Sequence, residues 1–297
     1  MKKFTPMNKS EIIIVTDYNE DTLVKLHGYA LVVYIDQLSD IAKVKKVVQP
    51  PSKIHCIVYE APNSSLSSIN ISHDWKDIPI HLYLAGIGDF SKISYQIPLL
   101  RELNMRIFFY ASNRRAITDT QILSSLGIYS GLRLINQQEH WDEINDLLHY
   151  SIYGKVNHTA IEPFDFLCRN YNEEQFLNIN NVYFNNPERY FHINSKEEIF
   201  LTREDLTKNT NLVETGIENI RLIFGTSIFK KKQTAWQEHF LKEEGCAYCP
   251  AWRICEAYFE HSENKEKCAE VMSDLLEAIE FYKSHNQQKH EKQTCLP

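Results

Sequence analysis

IHLYLAGIGDFSKISYQIPLLRELNMRIFFYASN, residues 80–113, sets the reading of the fold. Its ends, IHLYLAGIG (80–88) and MRIFFYASN (105–113), are near-continuous apolar runs of strand length. Runs of that kind suit strands buried on both faces. Between them, SKISYQIPLLRELN (91–104) carries Ile97, Leu99, Leu100 and Leu103 at positions that share one helix face. Strand, helix, strand in this order is a βαβ unit, and βαβ units build parallel sheets.

The pattern extends to both sides. EIIIVTDY (11–18), YALVVYID (29–36) and IHCIVYEA (54–61) read as further strands, with SDIAKVKKVV (39–48) and TDTQILSSLG (118–127) as helices. Right-handed crossovers place the C-terminal ends of such strands along one edge. After about residue 165 the alternation stops. Tyr190–Ile193 and Ile199–Leu201 flank the turn Asn194-Ser195-Lys196 and predict a hairpin. NIRLIFGTSIFKK (219–231) and TAWQEHFLKEEG (234–245) read as helical, and EKCAEVMSDLLEAIEFYKSH (266–285) as an amphipathic helix before a polar, frayed tail. A boundary near residue 185 divides the chain into an α/β domain (1–185) and a smaller cysteine-bearing domain (186–297).

With 297 residues, 43% hydrophobic and 24% charged, the chain can bury one large core or two ordinary ones. A net charge of −7 argues against a dedicated nucleic-acid binder. The Lys230–Lys232 run lies beside Glu238, Glu243 and Glu244 and reads as a solvated helix face. No apolar stretch has the length of a membrane span, and MKKFTPMNKSE has no apolar core of a signal peptide. The expected compartment is a reducing cytoplasm, where clustered cysteines favour metal over disulfides. Cys56 and Cys168 sit in apolar, strand-like settings and read as packed thiols, and Cys295 as an unligated one.

The other four cysteines lie in GCAYCPAWRICEAYFEHSENKEKC (245–268): Cys246, Cys249, Cys255 and Cys268, spaced C-x2-C-x5-C-x12-C. Four thiolates in one short segment can close around an iron–sulfur cluster or a tetrahedral zinc, and the spacing allows either. Cys268 lies near the start of the last helix, where the positive end of the helix dipole favours a thiolate. Tyr248, Trp252, Ile254, Tyr258 and Phe259 supply an aromatic and apolar shell around the ligands.

This segment resembles the second half of a SPASM domain, the C-terminal module of radical-SAM peptide maturases. The resemblance assigns Cys246, Cys249, Cys255 and Cys268 to its outer auxiliary 4Fe–4S cluster. FHINSKEEIFLTRED (191–205) resembles the hairpin that opens such modules, and residues 218–246 resemble the helical approach to the C-x2-C. Two departures mark this chain: Leu201-Thr202-Arg203 stands where the hairpin would supply a cysteine, and Phe259 stands at another cysteine position. Only one cluster is then implied. The first half resembles a radical-SAM partial (β/α) barrel, with residues 80–90 matching the glycine-motif strand and 97–136 the helices and strands that follow. The C-x3-C-x2-C that holds the radical-generating cluster is missing, since Cys56 is the one cysteine before residue 150.

The resemblance therefore implies a degenerate, pseudo-radical-SAM protein with no S-adenosylmethionine expected and no catalytic residues. Its implied role is accessory, in maturation of a ribosomally synthesised peptide. The implied partners are the precursor peptide and a maturase, either an ATP-grasp ligase or an intact radical-SAM enzyme. A redox-active iron–sulfur enzyme and a zinc-stapled structural protein are the alternatives.

Among other candidates, Gly86-x-Gly88 lacks the third glycine of a dinucleotide fingerprint, and P-loop, H-E-x2-H and G-x-S-x-G patterns are all missing. His81 reads as a satisfied core histidine, and Asp89 and Glu162 as solvated or capping carboxylates. His239 and His261 flank the cysteines but are surplus to four thiolates.

Overall fold

A computed structural model describes residues 12–172, 177–213, 215–242 and 244–294. The expectations for residues 1–11 and for Cys295 fall outside them. The fold is α/β. Its strands are β1 (Ile13–Asp17), β2 (Ala30–Ile35), β3 (Lys53–Ser65), β4 (Ile80–Gly86), β5 (Met105–Tyr110), β6 (Ser130–Arg133), β7 (Ile161–Glu162), β8 (Tyr190–Ile193) and β9 (Ile199–Phe200). They form one nine-stranded sheet in the order β7-β6-β5-β4-β3-β2-β1-β8-β9. Every neighbouring pair is parallel except the β8–β9 hairpin.

The two sheet faces bury different partners. Ile14, Leu31, Val33, Leu82, Leu84, Ile107 and Phe109 pack with Leu23, Ile41, Val44, Leu100 and Leu123 from the crossover helices. The alternate residues Val15, Val32, Tyr34, Val58, Tyr83 and Phe108 pack with Trp141, Leu147, Phe164, Leu167, Ile254, Val271 and Leu275. Burial on both faces is what the continuous apolar runs require. Capping residues set the helix starts. Asn19 accepts from the Thr22 amide at 3.0 Å, and Asn113 from the Ala116 amide at 2.9 Å.

Several elements depart from the sequence reading. The stretch 91–104 is two helices, Phe90–Ser94 and Ile97–Glu102, because Pro98 can start a helix but cannot continue one. Cys168 is on a helix, Phe164–Asn170, although its setting reads as strand. The apolar stretch from residue 219 is a 3-10 helix, Ile217–Gly225, joined to the helix Ser227–Lys242. The last helix runs through the polar tail, Lys265–Thr294. The hairpin expected to open a second domain is hydrogen-bonded into the first sheet: β8 pairs with β1, with Val15 opposite His192. Residues from both sides of position 185 therefore share one sheet and one core.

Candidate metal centre and adjoining cleft

The cysteine segment is fastened to the chain just beyond β6. The Tyr258 hydroxyl donates to the Leu134 carbonyl at 2.7 Å, and the His261 amide to Asn136 Oδ1 at 3.0 Å. Ser262 Oγ donates to the Gln138 carbonyl at 3.1 Å and accepts from Trp141 Nε1 at 3.1 Å. On the other side, Val271, Met272 and Leu275 of the last helix enter the same core as Trp141 and Phe259. Trp141 and Phe259 meet edge to face at 4.8 Å.

Within this frame the four cysteines converge. Cys246, Cys249, Cys255 and Cys268 line one cavity of about 20 Å3, with His239, Phe240, Phe259, Glu260, Lys265 and Met272. The Cys249 amide donates to the Cys246 carbonyl at 3.1 Å, the tight turn a C-x2-C pair needs. Cys255 ends a short helix, Trp252–Cys255. Glu256 and Ala257 follow with φ of 44° and 61°. Two consecutive non-glycine residues in the left-handed region are a local strain, of the kind held in place at functional sites. They turn the chain so that Cys255 faces the cavity and Tyr258 returns to β6.

Burial pushes the Cys255 thiol up to about 12, with Cys249 and Cys246 adding to the rise. Cys268 and Cys249 are raised for the same reasons, burial first. The helix-dipole expectation for Cys268 is therefore overridden: a dry site beside other thiols disfavours a bare thiolate more than the helix end favours it. A bound metal cation reverses this balance, since it is the missing positive charge. His239 Nε2 is buried with no hydrogen-bond partner, and its Nδ1 lies 3.9 Å from the Glu260 carboxylate. A carboxylate beside one imidazole nitrogen and a second nitrogen free of other partners are features of metal-bound histidines, and His239 lines the cysteine cavity.

The donor chemistry fits a thiophilic centre, while two geometric facts pull in different directions. A cavity of about 20 Å3 has room for a single ion. Yet among the described residues no three His, Cys, Asp or Glu side chains are set to hold one metal ion. Tetrahedral zinc requires sulfurs about 3.8 Å apart, as its ~2.3 Å bonds dictate. Deprotonation and ligation change the volume between the thiols, which are protonated without a metal.

A second, larger space borders the first. A cleft of 760 Å3 lies between β6, the end of β9 and the cysteine segment, and shares Ala257 and Glu260 with the cysteine cavity. Arg133 ends β6 and Thr202-Arg203 follow β9. Asn180, Asn185, Asn186, Glu188, Gln233 and Glu256 give the cleft a polar wall. Glu256 is raised to about 7 by burial and by Glu188, and its carboxylate accepts from Asn178. Behind the cleft, Tyr83 stacks on Phe108 at 4.7 Å and Phe184 stacks on His81 at 5.1 Å.

The remaining sequence candidates fall as follows. Cys56 and Cys168 are buried in the core and away from the centre. Asp89 caps its short helix, accepting from the Ser91 amide at 3.0 Å. Glu162 accepts from the Phe166 amide at 3.0 Å. His81 is not satisfied, because Nδ1 is buried without a partner. Arg133 and Arg203 carry no motif and were not legible as site residues. No family model, no curated protein and no solved structure matches the chain. Fold and site together define an α/β protein with a mostly parallel sheet and a four-cysteine pocket beside a polar cleft.

Proposed function

We propose that this chain is a non-catalytic accessory protein in the maturation of a ribosomally synthesised peptide. In this reading Cys246, Cys249, Cys255 and Cys268 hold a 4Fe–4S cluster that fixes one wall of a peptide-binding cleft. The observation that carries it is the shared boundary: the turn after Cys255 supplies both the cysteine cavity and the 760 Å3 cleft. The sequential strand order, with the helices between β1 and β6 packed mainly on one face, supports a degenerate (β/α) barrel related to radical-SAM proteins, although the helix between β6 and β7 lies on the other face. The chain has too few cysteines near its strand ends for a radical-generating cluster, which supports the accessory role. The precursor peptide and a maturase, ATP-grasp or radical-SAM, are the partners of this reading, and the cytoplasm its compartment.

When bound, such a cluster would supply a rigid cross-link, and Phe259 and Met272, which line the cavity, would shield its thiolates. The chain's own residues do the rest. Tyr258 and Glu256 face the cleft from one side, and Asn185, Asn186 and Arg203 from the other. The single-ion size of the cysteine cavity favours a second reading, a zinc-stapled domain with the same cleft.

Anaerobic purification with iron, sulfide and zinc analysis separates these readings. Brown protein with about four irons and four sulfides per chain is expected. Colourless protein with one zinc supports the second reading. Production of 5′-deoxyadenosine from S-adenosylmethionine under reducing conditions would overturn the accessory role in either case.

A further inference from the structure

Nearly every charge on the cleft has a partner. Arg203 pairs with Asp17 at 2.7 Å, Lys232 with Asp205 at 3.2 Å and Lys208 with Glu204 at 2.6 Å. Glu188 accepts from Gln233 at 2.7 Å, Glu256 from Asn178, and Glu260 lies 3.5 Å from His261. Arg133 is the exception. Among the described residues no carboxylate lies within ion-pair distance of its guanidinium, and no side chain or carbonyl accepts from it.

Aromatic rings surround it instead. Its guanidinium sits 4.2 Å from the Tyr183 ring centroid and 5.7 Å from that of Tyr83. The hydroxyls nearby do not accept from it: that of Tyr183 accepts from the Leu134 amide at 3.2 Å instead. Tyr183 donates to the Leu132 carbonyl at 2.8 Å, Tyr258 donates to the Leu134 carbonyl at 2.7 Å, and Tyr83 has no partner at all. A guanidinium carries five N–H donors in a planar fork. Ring faces stabilise its charge but leave those donors unused. Arg203 lines the same space, and its Nη1, buried behind the surface, is also without an acceptor.

We propose that the cleft binds a carboxylate-bearing peptide, with Arg133 as the bidentate anchor for that carboxylate. The choice of a carboxylate follows from the fork, which matches two oxygens in one plane. The choice of a peptide follows from the rest of the wall. Asn180 and Gln237 offer side-chain amides, and Asn185 its amide N–H, suited to backbone N–H and C=O groups. The volume of 760 Å3 also exceeds what a small dicarboxylate fills. The peptide part rests on the function proposed above; the anion part stands on Arg133 alone.

The test is a fluorescence-anisotropy titration of the full chain with a labelled hexapeptide containing Asp and Glu. The comparison peptide replaces these by Asn and Gln and ends in an amide. Wild type is expected to prefer the acidic peptide, Arg133→Gln to lose about tenfold or more in affinity, and Arg133→Lys to fall between. The acidic peptide's affinity is expected to drop with salt. Thermal unfolding of each variant checks that it is folded. Equal binding of both peptides, or unchanged affinity in a folded Arg133→Gln variant, overturns the proposal. Displacement by succinate at the peptide's own affinity also overturns it, by assigning the site to a free small carboxylate. Metal content is read on the same samples, so a failed metal centre and a failed anion site are seen separately.

Discussion

His192 offers a sharp test of how the second half of the chain is seated. It lies on β8 opposite Val15, fully buried, with neither ring nitrogen hydrogen-bonded. Burial is the main cause that holds its imidazole neutral, with a pKa lowered to about 3, and Arg203 pushes the same way. In the unfolded chain the pKa returns to about 6.5. The folded pKa is therefore the depressed one. Above pH 6.5 both states are neutral and stability does not depend on this group. Between pH 6.5 and about 3 only the unfolded state takes the proton, and folding loses ~1.4 kcal/mol per pH unit. At pH 5 that amounts to about 2 kcal/mol, a large share of a typical 5–15 kcal/mol. Urea unfolding of wild type and His192→Asn at pH 7, 6 and 5 measures it. The stability gap between the two proteins is expected to close by that amount, while other acid effects cancel. A gap that stays constant across this range would falsify the buried placement of β8 against β1.

Three further outcomes follow from the geometry. Cys255→Ser removes the most deeply buried of the four thiols and is expected to abolish stoichiometric metal binding, whereas Cys56→Ala leaves it intact; metal analysis of both reads the difference. His239→Gln is expected to change the absorption or EPR spectrum of the loaded protein, because His239 lines the cysteine cavity and its Nε2 has no other partner; identical spectra would remove His239 from the centre. Gly131→Ala would put a methyl 2.7 Å from the Phe108 ring and 2.9 Å from Glu162 Cβ. Overpacking of that kind costs about 1–3 kcal/mol, so a melting temperature equal to wild type contradicts the close contact of β6 with β5.

The strands were legible because their burial is written into composition. EIIIVTDY, YALVVYID and IHLYLAGIG contain β1, β2 and β4 almost to the residue. The two-helix break at Pro98 and the helical setting of Cys168 were not, since local propensity does not fix where a short helix ends. The pairing of β8 with β1 is set by tertiary packing and leaves no local signal. The cysteine segment announced itself by spacing, and its four thiols do share one cavity. His239 was undervalued because its significance lies in an unpartnered nitrogen, which only three-dimensional placement exposes. Arg133 was invisible for a similar reason: a lone arginine in SGLRLIN becomes notable only when no acceptor surrounds it.

The place of β8 beside β1 bears on how the chain is born. β1 leaves the ribosome well before its second neighbour, which begins only at Tyr190. At roughly 5–20 residues per second, the intervening stretch takes on the order of ten to thirty seconds to synthesise. Throughout that interval one side of β1 presents unpaired amides and carbonyls, a template for any other strand. Nascent chains of this protein therefore have a timed window of vulnerability to misassembly, and it closes with the arrival of four residues, Tyr190–Ile193.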